Sequence, residues 1–244
     1  MLKSPSPNGM KRKYLALDIE TVKLVPAGVS DWKLYRPLGI ACAATIATEQ
    51  GCPRVWCGGR NHERPAKRMK CDEVRKLVRY LQEAVKNGHT IVTWNGVGFD
   101  FDVLAEESGL VEKCKQLARN HVDMMFHAFC QLGYGISLGA AAKGMGLAGK
   151  AGGMTGIDAP RLWAEDKQKQ VFRYVAQDAR TILALAERCE SEHSFRWVTR
   201  SGRKRRLALP KGWLSVVLAQ KLPEPITFWM TTPWSRQKFT AWLQ

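Results

Sequence analysis

The 244-residue sequence has no apolar run near the roughly 20 residues that cross a bilayer. Its first thirteen residues are polar and basic, with none of the apolar stretch that follows in a secretory leader. The seven cysteines are odd in number and contain no C-x-x-C pair, which excludes a disulfide scaffold and a paired-cysteine zinc site. The five histidines show no H-x-x-x-H spacing. These absences point to reduced thiols in the cytoplasm, nucleoid-associated in a bacterium, and not to a secreted chain. Acid is also scarce, with 22 Asp and Glu against 38 Lys and Arg, a formal net charge of +16. Such a surface attracts polyanions, nucleic acid foremost. No basic helix with a clean apolar face is visible, so a membrane surface ranks well below it. What remains, 45% hydrophobic and 25% charged, is the mix of a globular protein with a core. The length suits one α/β domain, or one with a short appendage.

Residues 1–13 read as a flexible basic leader. Strands are expected at Tyr14–Thr21, where Leu15, Leu17 and Ile19 alternate with their neighbours, and at Ile40–Ala47, Arg54–Cys57 and Thr90–Trp94. Asp72 is expected to cap a helix carrying Val74, Leu77, Val78 and Leu81 on one face and ending near Gly88. Further helices are expected at Phe101–Glu107 and Ser137–Lys143, and a single long one over Trp163–Cys189. Composition shifts after Glu192. Residues 196–211 hold seven Lys and Arg and no acid, and five of the nine tryptophans fall at 197, 213, 229, 234 and 242. This reads as a basic, Trp-rich extension over 193–244, a hairpin turning at Ser201-Gly202 and then short helices.

Three places put acids where a core face is expected. Asp18 and Glu20 are two apart in a strand, so they share one side; a solvated edge strand would explain them equally well. Asp178 falls inside the apolar stripe Val171, Val175, Ile182, Leu185 and Cys189, where an uncompensated charge is costly. A salt bridge to an arginine is the plainer account of it. In Trp94-Asn95-Gly96-Val97-Gly98-Phe99-Asp100 a buried strand ends, glycines turn the chain and Asp100 opens a helix. Helix capping alone would account for that acid, although strand ends are where open α/β sheets collect functional groups. Brought together, the four would repel, by about 4 kcal/mol for each pair at 4 Å and an effective dielectric of 20. A divalent cation among them relieves the repulsion, and an all-oxygen set suits Mg²⁺ or Mn²⁺.

Leu17-Asp18-Ile19-Glu20-Thr21, Asn95-Gly96-Val97-Gly98-Phe99-Asp100 and Tyr174-Val175-Ala176-Gln177-Asp178 together resemble the three motifs of the DEDD superfamily of 3′–5′ exonucleases. The second is in the form typical of family B DNA polymerase proofreading domains. Each motif alone is weak; the ordered triple, spaced by roughly 80 residues and covering about 14–190, is specific. Tyr174 stands where the tyrosine (DEDDy) subtype has its tyrosine, and Arg173 occupies the place a histidine subtype would need.

The resemblance implies an α/β, RNase H-like domain over 14–192, a mixed five-stranded sheet flanked by helices. It implies a two-metal 3′–5′ exonuclease that releases nucleoside 5′-monophosphates. Asp18 would bridge the ions; Glu20 and Asp178 would help hold the one carrying the attacking water; Asp100 would hold the other through water; Tyr174 would orient the attacking water. Thr21, Asn95 and Phe99, inside the motifs, are expected to touch substrate. Single-stranded DNA is the first expected substrate and RNA the second. A nucleic-acid-binding module that has lost its chemistry is the other alternative. A polymerase does not fit in this length, so any proofreading role would be in trans, with a replication or repair partner.

Gly144-Met145-Gly146-Leu147-Ala148-Gly149-Lys150 satisfies a dinucleotide-type glycine pattern, but it follows a helix rather than a strand, and Ala151 stands where a phosphate loop needs Ser or Thr. It is read as a loop near the site with Lys150 available to a substrate phosphate. The run Arg200–Arg206 resembles a nuclear localisation run and a phosphate-gripping hairpin equally well, and a solvated basic turn is the plainer account; beside the tryptophans it is read as a nucleic-acid contact through Arg203 and Arg205. Most of the C-terminal tryptophans are expected to be core, and one to meet substrate. Asp102 is expected to be solvated, and Asp123 to support the site without being a ligand.

Overall fold

The computed structural model describes residues 11–26, 28–29, 31–59, 65–147 and 158–244. Strand β1 (Tyr14–Thr21) is central. It pairs antiparallel with β2 (Ile40–Ala47), which pairs antiparallel with β3 (Arg54–Cys57). On its other side β1 runs parallel to β4 (Thr90–Thr93), itself parallel to β5 (Val122–Asp123). The order is thus β3-β2-β1-β4-β5, a mixed five-stranded sheet. Every residue of β2 is buried, as expected of a strand covered on both faces. Leu15, Leu17 and Ile19 enter one hydrophobic cluster with α1 (Cys71–Lys86) and α2 (Asp100–Ser108). Tyr14 and Ala16 enter the other, with the long helix α7 (Gln168–Ser191). Opposite Glu20 and Asp18 in the register stand Cys42 and Ala44, small side chains that let α7 lie close over this part of the sheet.

Several expected boundaries move. Helix α1 starts at Cys71, not after Asp72; the Glu73 carboxylate turns back to accept the Lys70 N–H at 2.7 Å, while Asp72 pairs with Arg75 at 3.3 Å. The single helix expected over Trp163–Cys189 is two, α6 (Asp158–Ala164) and α7. Asp166, in the left-handed region at φ 56°, breaks it, and the Lys167 N–H closes the turn on the Leu162 carbonyl at 2.9 Å. Between α2 and α5 (Leu138–Gly144) lie elements that the sequence did not announce: α3 (Val111–Asn120), β5 and α4 (Met124–Leu132). Gly144 is a packing position. A Cβ there would lie 2.2 Å from the Cα of Trp197, so the glycine run brings α5 against the following hairpin. Lys150 lies outside the described residues.

The chain past 192 forms the hairpin β6 (Ser194–Val198) and β7 (Lys204–Ala208), then α8 (Val216–Ala219) and α9 (Gln237–Thr240). Phe195, Trp197, Leu209 and Trp213 join the cluster under α7. Val216, Ala219, Phe239 and Leu243 join the other. Arg236 fastens the segment between α8 and α9, donating to the carbonyls of Gln220, Leu222, Pro223 and, on α4, Cys130 at 2.7–3.1 Å. No helix among the described residues is long and apolar enough to cross a membrane.

Candidate active site

The β1–β4 ladder ends at the pair Ala16 and Val92, and the chain ends beyond it frame an open cavity of about 530 Å³. Asp18, Glu20 and Thr21 line it from β1. Trp94, Asn95, Phe99 and Asp100 line it from the turn after β4, and Tyr174 and Asp178 from α7. The four acids and the tyrosine, drawn from three distant stretches, therefore share one pocket. Glu20, Asp100 and Asp178 are buried to 4–6% exposure, and Asp18 is half-buried.

The turn after β4 is locally over-determined. Asn95 adopts φ 73°, a costly conformation for a side-chain-bearing residue. Its N–H donates to Asp123 Oδ1 at 3.0 Å, and the Val97 N–H donates to Asp123 Oδ2 at 2.9 Å. The Phe126 N–H also donates to Oδ1, at 2.9 Å. Asp123 is thus consumed in holding the turn and does not line the cavity. Thr93 Oγ1 accepts the Gly96 N–H at 3.1 Å, and a Cβ on Gly96 would stand 2.3 Å from that oxygen, so glycine is required there. The result sets Asp100 as the first residue of α2, where a carboxylate meets the positive end of the helix. The Ile19 N–H lies close enough to favour its charged form as well. Burial, then the charge of Asp123, nevertheless raise the Asp100 pKa to about 7.

Tyr174 and Asp178 are one helical turn apart on α7, so the Tyr174 hydroxyl lies beside the Asp178 carboxylate. Burial, followed by the negative charges of Asp178, Glu20 and Asp18, pushes the Tyr174 pKa well above its usual value. The same charges of Glu20 and Asp18, after burial, raise the Cys42 thiol. These mutual influences set Asp18, Glu20, Tyr174 and Asp178 on one face.

Donor chemistry favours a hard divalent cation: all four acids offer oxygen, and among the described residues no histidine or cysteine lines the cavity. Among the described residues, no group of three or more His, Cys, Asp or Glu is drawn up into a ready-made metal shell. The acids stand as an open set on the cavity wall.

The expected substrate contacts divide. Thr21, Asn95 and Phe99 line the cavity. Arg203 and Arg205 do not; they stand on the hairpin, where Arg205 is close enough to influence the Tyr134 hydroxyl. Asp102 is not solvated. It is 3% exposed and paired with Arg36 and, at 3.5 Å, Lys33. Sequence reasoning missed much of the opposite wall, made by Met125, the segment Gly135–Leu138, Trp234 and Phe239. Their periodicity gave no signal; the cluster of C-terminal aromatics was the only hint. Of the five C-terminal tryptophans, Trp197 and Trp213 are core, Trp229 and Trp234 are exposed, and Trp234 alone lines the cavity.

Residues 57–189 match the profile of the RNase H superfamily, more than half of the chain, and the chain belongs to that superfamily. The match takes in Asp100, Tyr174 and Asp178 and begins after Asp18 and Glu20. Among solved structures, the fold is similar to the family B DNA polymerase from the hyperthermophilic archaeon Pyrobaculum calidifontis, with a TM-score of 0.52 at 19% identity. The similarity covers 78% of this chain and 25% of the polymerase chain, so the chain spans about a quarter of that protein's length. A comparison with curated proteins returns no match.

Proposed function

We propose that the chain is a metal-dependent 3′–5′ exonuclease of the DEDDy type that removes nucleoside 5′-monophosphates from single-stranded DNA. The observation that carries this reading is the convergence of Asp18, Glu20, Asp100 and Asp178 with Tyr174 in one open cavity. Those four carboxylates would hold two divalent cations, Mg²⁺ or Mn²⁺. When bound, the cations supply Lewis-acid stabilisation of the phosphoryl oxygens and lower the pKa of the attacking water. Tyr174 stays protonated at neutral pH, because its burial and the surrounding acids oppose ionisation. It therefore acts as a hydrogen-bonding group that orients the water, and not as a base. Thr21, Asn95 and Phe99 border the terminal nucleotide, with the Phe99 ring offering an apolar face to its base or sugar. Arg203 and Arg205 lie further out, where they attract backbone phosphates.

The deciding experiment is digestion of matched single-stranded DNA, duplex DNA and RNA, labelled at either end, with Mg²⁺, Mn²⁺ or EDTA. Shortening from the 3′ end of single-stranded DNA, lost in EDTA and in Asp18→Ala and Asp178→Ala, is expected. Preference for RNA would replace DNA as the substrate. Full digestion by either variant would remove the site assignment, and binding without turnover in Mn²⁺ would leave only a binding module.

A further inference from the structure

The segment after α8 leaves three large aromatic rings in solvent beside the cavity: Phe228 is 90% exposed, Trp229 61% and Trp234 51%. They are not loosely placed. Trp229 meets Tyr134 edge-on, with ring centroids 6.0 Å apart, and its indole N–H is satisfied by the Ile226 carbonyl at 3.1 Å. Tyr134 faces the hairpin, where the Trp197 indole and Arg205 lie close to its hydroxyl. The next residue, Gly135, is on the cavity wall, as is Trp234. Lys238 places its ammonium 3.5 Å from the Trp234 ring centroid. One strip of surface therefore runs from a basic hairpin, across Trp229, which Phe228 precedes in the chain, to Trp234 at the acidic cavity.

We propose that Phe228, Trp229 and Trp234 form a stacking platform for unpaired bases of a nucleic-acid strand whose end enters the cavity. Exposed rings of this size are costly in water unless covered. Two observations choose the occupant. Arg205, which faces Tyr134, and Lys238, over Trp234, match a phosphodiester backbone, and the strip is continuous with the open cavity that the acids line. Single strands present π-faces that a duplex keeps stacked, so the platform selects unpaired strands without reading sequence. The assignment rests on the proposed nuclease only for the direction in which the strand lies.

The test measures binding in EDTA, which separates it from turnover. A 5′-fluorescein-labelled dT12 and a 12-mer of abasic residues, equal in charge and lacking bases, are titrated by anisotropy against the wild-type chain, Phe228→Ala, Trp229→Ala and the double variant. Each ring removed is expected to weaken dT12 binding about tenfold, with Trp229→Phe recovering most of its share. Abasic binding is expected to change by less than about twofold, because phosphate contacts persist. An unchanged dT12 affinity, or equal losses on both ligands, overturns the proposal. So does sedimentation showing that the variants merely dissolve a self-association, which would make a second copy the occupant. A chain that binds dT12 through these rings yet digests nothing in Mg²⁺ upholds the platform and removes the nuclease. Digestion with unaltered dT12 affinity does the reverse.

Discussion

The indole N–H of Trp242 donates to the carbonyl of Val97 at 2.7 Å, tying the last turn of the chain to the turn that presents Asp100. Phe239 presses on the same turn; a Cβ on Gly98 would lie 2.8 Å from its ring. The C-terminus is anchored in its own right by α3, since Lys115 donates to the Gln244 carbonyl at 2.6 Å and Arg119 to that of Leu243. The C-terminal segment thus builds part of the site as well as part of the core.

Trp242→Phe keeps most of the ring and removes this hydrogen bond. The expected loss is about 1 kcal/mol of stability, with faster amide hydrogen exchange confined to residues 97–101. If the same loss is felt at the site, digestion of single-stranded DNA slows about fivefold. Unchanged exchange in that turn would show that Asp123 suffices to hold it.

Neutralising an acid should separate stability from activity. Asp18→Asn and Asp178→Asn remove one charge from a cluster of like charges, so the metal-free melting temperature should hold or rise. Activity should fall at least about a thousandfold, as several kcal/mol of charge stabilisation are lost. Saturating Mg²⁺ should raise the wild-type melting temperature, since a ligand at about 100 times its Kd adds about 2.7 kcal/mol, and that rise should be absent from both variants. A melting temperature that is insensitive to Mg²⁺ in the wild type would count against cation binding by these acids.

Asp102 gives a contrast between a buried and an exposed ion pair. Its carboxylate is buried against Arg36, whose side chain is 29% exposed. Asp102→Asn leaves that cation with the looser contact to Glu106 at 4.0 Å, and this, with the partial exposure of Arg36, reduces the usual 3–5 kcal/mol penalty to about 2 kcal/mol. Glu165→Gln breaks a pair with Lys167 at 2.7 Å that stands in solvent, and should leave stability nearly unchanged. The Asp102 variant should unfold at clearly lower urea than the Glu165 variant; equal melts would show that the Asp102 pair adds nothing.

The contrast between these acids also shows what the sequence could disclose. Asp18, Glu20 and Asp178 were legible because each interrupts a strong local pattern, an alternating strand or a helical stripe. The strands β1, β2 and β3 fall at the residues expected from alternation and apolar runs. Asp102 was misjudged because its partners lie some 65 residues upstream, in a segment without periodicity. Helix α4 was missed because Met124 through Cys130 are buried on every side, so no amphipathic period exists to be read. Strand β5 is two residues long, too short for alternation to show. The far wall of the cavity depends on long-range contacts such as Trp242 to Val97, which no local window contains.

His127 supplies a pH test. Its Nδ1 accepts the Leu214 N–H at 3.2 Å and is therefore the bare nitrogen of a neutral ring. Burial lowers its pKa to about 4, against about 6.5 in the unfolded chain. The folded state thus resists a proton that the unfolded state takes up. The stability tied to this residue is present above about pH 6.5 and is lost as pH falls towards 4, by about 1.4 kcal/mol per pH unit. His127→Asn offers Leu214 a carbonyl acceptor that does not titrate. At pH 7 the variant should be the less stable, because it loses the edge-on packing against Trp213 at 5.4 Å. That deficit should shrink steadily between pH 6.5 and 4.5 in urea melts. Taking the difference between the two chains cancels the opposing trend of Asp100 and Asp123, whose raised pKa values favour the folded state as acid is added. A deficit that stays constant across this range would mean that His127 is protonated in the folded protein after all.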